Sequence, residues 1–179
     1  FMGQEQVGWR YDPKQAPAGM MTGLGVHMTD YMQTLAGRVK TVSSHSAHRS
    51  ADYTSDDILA NHFTFESGAT ATFTTLATTP FYQRLSVFGD RAWGEIREVS
   101  NVDKLDPAEL IWRGMDEEIH TRTFKWRDTV SENMNAWADA VQGRGDYPFT
   151  HPQILHNVEI LEAIVQSIDG GVPVHIKDL

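Results

Sequence analysis

From Ile58 to Trp126 apolar residues recur at every second position in short runs. In "DILANHFTFESGATATFTTLATT", Leu59, Phe63 and Phe65 alternate on one arm and Ala69, Ala71 and Phe73 on the other, with Ser67-Gly68 as the turn. "FYQRLSVFGDRAWGEIREV" reads as a second pair broken at Gly89-Asp90, and "ELIWRG" and "EIHTRTFKW" add two candidate strands. "RVKTVSSHSAH" opens this β-rich stretch. Parallel strands need a crossover of about a dozen residues or more. Short turns between successive strands therefore specify an antiparallel meander.

Helical stripes flank the meander. Met21, Leu24, Met28, Tyr31 and Leu35 recur at steps of three and four. Thr129 and Glu132 form a capping-box pattern ahead of Val130, Met134, Trp137 and Val141, with Gly143 as the stop. Thr150 and Gln153 repeat it ahead of Ile154, Val158, Leu161, Val165 and Ile168, stopped by Gly170-Gly171. The expectation is an α+β fold: one large, predominantly antiparallel (mixed) open sheet with helices on one face. The other face would carry Thr64, Thr70, Thr72 and Thr74 with Ile58 and Leu76, open to solvent or to a second subunit.

At 179 residues and a formal net charge of −9 the chain is long enough for a real core, and it has no Lys/Arg cluster. Nucleic acid and anionic membranes are thereby disfavoured as partners, since both need a basic footprint. The absence of cysteine excludes disulfides, thiolate metal sites and a cysteine nucleophile. It also suits a cytoplasmic location, as does the lack of a signal peptide or long apolar run. Phe1-Met2-Gly3 is no ordinary translation start, and the chain is expected to be a piece of a longer protein.

The first helical stripe carries a cost. Gly19, Gly23 and Gly25 lie in or at its head, and a helix-interior glycine costs ~1 kcal/mol against alanine. The adjacent stripe is Met20, Gly23, His27, Asp30 and Thr34. Two readings stand. In one, Gly19 and Gly23 make a trough where a ligand touches the helix backbone and His27 trades a proton with it, oriented by Asp30. In the other, they allow tight helix–strand packing beside an ordinary hydrogen-bonded histidine. A dinucleotide loop is excluded, because "GLGVHM" lacks the third small residue and no apolar strand runs into it. Trp9-Arg10 offers a guanidinium to an anionic or hydroxylated substrate, or a surface ion pair. His45 and His48 are three apart with no carboxylate at ligand spacing, so no metal site is expected. His62, His120, His151, His156 and His175 read as structural or solvated.

"WRYDPKQAPAGMMTGLGVHMTDYMQTLAG" resembles the opening of the C-terminal domain of the glucose-fructose oxidoreductase / inositol dehydrogenase / rhizopine-catabolism (Gfo/Idh/MocA) family. There a Trp-Arg pair leads to a helix of the form G-G-G-x-x-x-D-x-G-x-H-x-x-D. "FTFESGATATF", "RLSVFGDRAWGEI" and "HNVEILEAIVQSIDGGVPVHI" continue the resemblance in order. It implies an NAD(P)-dependent oxidoreductase of a sugar, cyclitol or related polyol. Residues 1–179 would be its single substrate-binding and oligomerisation domain, following an NAD(P)-binding Rossmann domain. It further implies His27 as the catalytic acid/base, with Arg10, Trp9, Thr22, Gly23 and Asp30 at the substrate. Gly19 and Gly23 would let the nicotinamide of NAD or NADP approach the backbone. A homodimer or homotetramer through the open sheet face is implied as well, and the isolated chain would be inactive. Pro17 and Ala18 replace the motif's first two glycines, and Gly23 replaces its aspartate. The alternative is a non-catalytic member that keeps the fold as a sugar-binding or scaffolding subunit.

Overall fold

The computed structural model of the chain describes residues 8–51 and 54–176, so Phe1-Met2-Gly3 lies outside the described residues. Within them the strands are β1 (Val39–Ala47), β2 (Ile58–Phe65), β3 (Thr70–Leu76), β4 (Gln83–Phe88), β5 (Trp93–Glu98), β6 (Ala108–Arg113), β7 (Ile119–Phe124) and β8 (Val174–His175). The helices are α1 (Val26–Ala36), α2 (Thr129–Val141) and α3 (His151–Gly170). Every pairing is antiparallel, and the α+β class read from the sequence is the one observed. The strands divide, however, between two four-stranded sheets, ordered β3-β2-β1-β8 and β4-β5-β6-β7. Alternation marks strands without saying which edges meet. After β3 the chain runs through Ala77, Thr78, Thr79 and Pro80, and proline has no N–H to continue a ladder. Two compact units result, one from Phe1–Thr78 with Phe149–Leu179 and one from Thr79–Pro148.

In the first unit the hairpin folds as its alternation specifies. Leu59, Phe63 and Phe65 are buried on one face of β2. Ile58, Thr64, Thr70, Thr72, Thr74 and Leu76 share the opposite, helix-free face. A register shift between Val39 and Thr41 lets both Val39 and Val42 point into the core.

Helix α3 packs on β1, but only part of the stripe its hydrophobicity suggested takes part: Leu161 and Ile168 pack against the core. Ile154 and Val158 are 48% and 56% exposed, and the buried residues are His156, Ile160, Ala163, Ile164 and Ser167. The reason lies in β1. Its β8 neighbour pairs only at Thr41 and Val42, so backbone groups beyond that short partner need other acceptors. The Val39 N–H donates to His156 Nε2 at 2.9 Å and the Ser44 N–H to Ser167 Oγ at 2.9 Å. With Nε2 accepting, the imidazole proton sits on Nδ1, 2.6 Å from Glu159 Oε2. His156 is thus a structural histidine. Its helix is capped as the sequence indicated, by the reciprocal Thr150–Gln153 box.

The head of the first helix also departs from its stripe. Residues Met21–Gly25 form a π turn that leads into α1. Leu24, Tyr31 and Leu35 are 52%, 51% and 58% exposed. The buried side is Met21, Gly25, Thr29, Met32 and Gln33. Small residues define it because the helix sits close. A Cβ on Gly25 would stand 2.2 Å from Met21 Sδ and 3.2 Å from Phe73 Cε1. Gly19, at φ +52°, is filled from outside too, since its Cβ would stand 2.6 Å from the Asp56 carbonyl oxygen. For these two glycines the tight-packing reading describes the geometry.

In the second unit β4–β5 and β6–β7 are hairpins joined through β5–β6. Helix α2 is capped by Asp128, whose side chain accepts from the Ser131 N–H, rather than by Thr129. None of its residues is buried, including Val130, Met134, Trp137 and Val141, which the sequence pattern placed against a sheet. A periodic stripe specifies which face is apolar and not what covers it.

Two stability tests follow from this packing. Asp57 is 3% exposed. Burial pushes its carboxyl up, but hydrogen bonds from the Arg49 N–H (2.7 Å) and the Thr78 hydroxyl (3.3 Å) outweigh that and hold it below the usual carboxylate range. The stabilisation is complete above the unfolded value of ~3.9 and is lost as pH falls through the lower folded value. Thermal melts of Asp57→Asn should show a weaker loss of stability below about pH 4 than wild type. Gly19→Ala should cost about 1–3 kcal/mol through its left-handed φ and the Asp56 carbonyl, read as a melting point lower by several degrees.

Candidate active site

A 3₁₀ turn at Trp9–Tyr11 carries the exposed pair that the sequence singled out. The Arg10 guanidinium carbon lies 4.7 Å from the Trp9 ring centroid. Its stem reaches across to the π turn: a Cβ on Gly23 would stand 3.4 Å from Arg10 Cδ, 3.5 Å from Nε and 3.6 Å from Cγ. Residues thirteen apart in sequence, Arg10 and Gly23, are therefore neighbours in the fold. Gly23 differs from Gly19 and Gly25 in this respect, since what lies over it is a flexible side chain at the surface.

His27 stands four residues on from Gly23, in the first turn of α1, and is exposed. Asp30 is half-buried. Among the described residues no hydrogen bond joins the His27 ring to Asp30, whose backbone carbonyl accepts from Thr34 Oγ1 at 3.0 Å. Thr22 lies beside Gly23, but its hydroxyl donates to the Pro17 carbonyl and is committed within the loop. Gly19 is buried against Asp56. Arg10, Trp9, Gly23 and His27 thus share an accessible surface, with Thr22 and Asp30 at its edges.

What fixes this helix turn escaped the sequence reading. Asn157, on α3, donates from Nδ2 to the Val26 carbonyl at 2.9 Å. Its Oδ1 lies 2.6 Å from the Thr29 hydroxyl and 3.2 Å from Gln33 Nε2. Val26 and Thr29 bracket His27, so an amide more than a hundred residues away holds the backbone that presents the imidazole. A single polar residue on an amphipathic helix has no periodic signal to announce it.

In the second unit Asp116, Glu118 and His120 each place one ligand-type atom within 4.8 Å of the others at the β6–β7 hairpin. His120 Nε2 is engaged with Asp116 Oδ2 at 2.8 Å, and its ring stacks on Trp112 at 5.2 Å. Among the described residues no helix is long and apolar enough to cross a membrane.

Comparison with solved structures places the fold. A protein designated an NADPH-dependent oxidoreductase from Desulfitobacterium hafniense is 24% identical with a TM-score of 0.83, covering 97% of this chain and 53% of that one. An aldose-aldose oxidoreductase from Caulobacter crescentus, complexed with glycerol, is 18% identical with a TM-score of 0.81, over 97% and 52%. An oxidoreductase from Agrobacterium radiobacter in complex with NAD+, L-tartaric acid and magnesium is 16% identical with a TM-score of 0.68, over 87% and 48%. The chain spans about half the length of the solved structures it matches. No curated protein matches it. The family model for the GFO/IDH/MocA C-terminal domain matches residues 1–95, more than half of the chain, and the chain belongs to that family.

Proposed function

We propose that this chain is the catalytic and substrate half of an NAD(P)-dependent oxidoreductase. The reaction moves a hydride between nicotinamide and a hydroxyl or carbonyl of a sugar, cyclitol or related polyol. The observation that carries the proposal is the shared surface of Arg10, Gly23 and exposed His27 on a helix turn clamped by Asn157. The glycerol and NAD+ complexes of the similar structures support it.

His27 acts as the acid/base. Its ring is exposed, and among the described residues no partner occupies its nitrogens, so one is available to take the proton of a substrate hydroxyl or return it to a carbonyl. Arg10 binds the substrate, with Trp9 holding the guanidinium plane and Thr22 and Asp30 at the rim. The nicotinamide, when bound, supplies or accepts the hydride. Gly23 and His27 would border it, because what lies over part-exposed Gly23 is the movable Arg10 side chain, whereas Gly19 is closed by the Asp56 backbone. The dinucleotide's phosphates would be held by a Rossmann domain. The isolated chain should therefore bind neither NAD nor NADP, and calorimetric titration showing micromolar binding would refute this. The helix-free face of β1–β3 would assemble a homodimer or homotetramer, which light scattering of wild type against a charged Thr72→Asp variant tests.

A second reading, a non-catalytic sugar-binding or scaffolding subunit, draws on the missing His27–Asp30 hydrogen bond and on Gly23. His27→Asn separates the two. As acid/base, its loss should lower turnover by about 10²–10⁴ with a much smaller change in substrate affinity. Turnover within about twofold of wild type would remove the catalytic assignment.

A further inference from the structure

We infer that the substrate of this site carries a carboxylate, recognised by the Arg10 guanidinium beyond the stem that lies over Gly23. The inference rests on the oxidoreductase reading for the identity of the site, but its evidence is separate. Arg10 forms no ion pair or hydrogen bond with any described residue. The acid nearest in sequence, Asp12, is committed to its own loop. It accepts from Gln15 Nε2 at 2.7 Å and from the Lys14 N–H at 2.9 Å, and these bonds, Gln15's first, hold its carboxyl below the usual range.

The guanidinium is nevertheless held in place. Its central carbon lies 4.7 Å over the Trp9 ring, and its stem passes the open side of Gly23. A cation–π contact leaves guanidinium N–H donors for other acceptors. A planar fork with free edge donors matches the two oxygens of a carboxylate. The dinucleotide's phosphates are the other anion that would reach this surface. They call for several convergent backbone N–H groups at a helix N-terminus or nest. Here the start of the helix is a π turn whose nearest hydroxyl, Thr22, is already bound to Pro17. One fork over the turn that leads to His27 fits a sugar acid.

The test compares D-glucuronate, D-glucose and NADPH as titrants of the 179-residue chain, for wild type, Arg10→Gln, Arg10→Lys and Gly23→Asp. Far-ultraviolet circular dichroism checks the fold of each. Wild type should bind glucuronate at least about tenfold more tightly than glucose, with an affinity that falls as salt is raised. Arg10→Gln should abolish that preference and Arg10→Lys keep part of it. Gly23→Asp should abolish it by setting a carboxylate against the arginine stem. Equal binding of glucose and glucuronate by wild type would overturn the inference. So would an Arg10→Gln effect on NADPH with none on glucuronate.

Turnover with added NAD or NADP, measured on the longer protein that contains the chain, separates this inference from the reading beneath it. Glucuronate bound through Arg10 but never oxidised leaves the carboxylate assignment standing and removes the oxidoreductase. Neutral sugars oxidised with kcat/KM equal to that of their acids do the reverse.

Discussion

Two backbone N–H groups on β1 organise the first unit. A two-residue β8 cannot cover a nine-residue strand, and an unpaired buried donor costs about 1–3 kcal/mol. His156 and Ser167 meet the need from α3, eleven residues and about three turns apart. The register of α3 against β1 is thus set by hydrogen bonds, with Ile160 and Ile164 packed between the two contacts. Asn157, next to His156, grips α1 on its other side. One dipeptide of α3 therefore ties the core strand and the site helix to a common frame.

The three glycines of the helix head divide their roles within that frame. Gly25 lets α1 settle on Phe73, and Gly19 lets the preceding loop turn beneath Asp56. Both are structural. Only Gly23 opens toward the surface, and there the occupant is Arg10. A ligand trough over Gly19 and Gly23 alike merges two different physical causes.

The hairpins, the α3 cap and the membership of the open sheet face were legible because alternation and capping are local and nearly free of competing solutions. The buried faces of α1 and α3 were not. Both set small or polar residues among the apolar ones, Gly25, Thr29 and Gln33 on one and His156 and Ser167 on the other. A hydrophobic count ranks those below exposed leucines such as Leu24 and Leu35. The division into two sheets was hidden for a different reason, since strand edges are chosen by long-range partners. In the site, Arg10, Gly23 and His27 were visible as residue types. That the first two are neighbours required the fold, as did the Asn157 clamp.

The π turn at Met21–Gly25 has a bearing on how such a site changes over generations. An α-helix advances about 100° per residue, and a π turn accommodates one residue beyond the α ladder. Removing one position from this segment would let it close as ordinary helix while α1, gripped by Asn157, stayed where it is. The loop carrying Arg10 would then be re-aimed around the helix axis relative to His27. A single-codon deletion at this point would alter which chemical groups the imidazole and the guanidinium share, without replacing either residue.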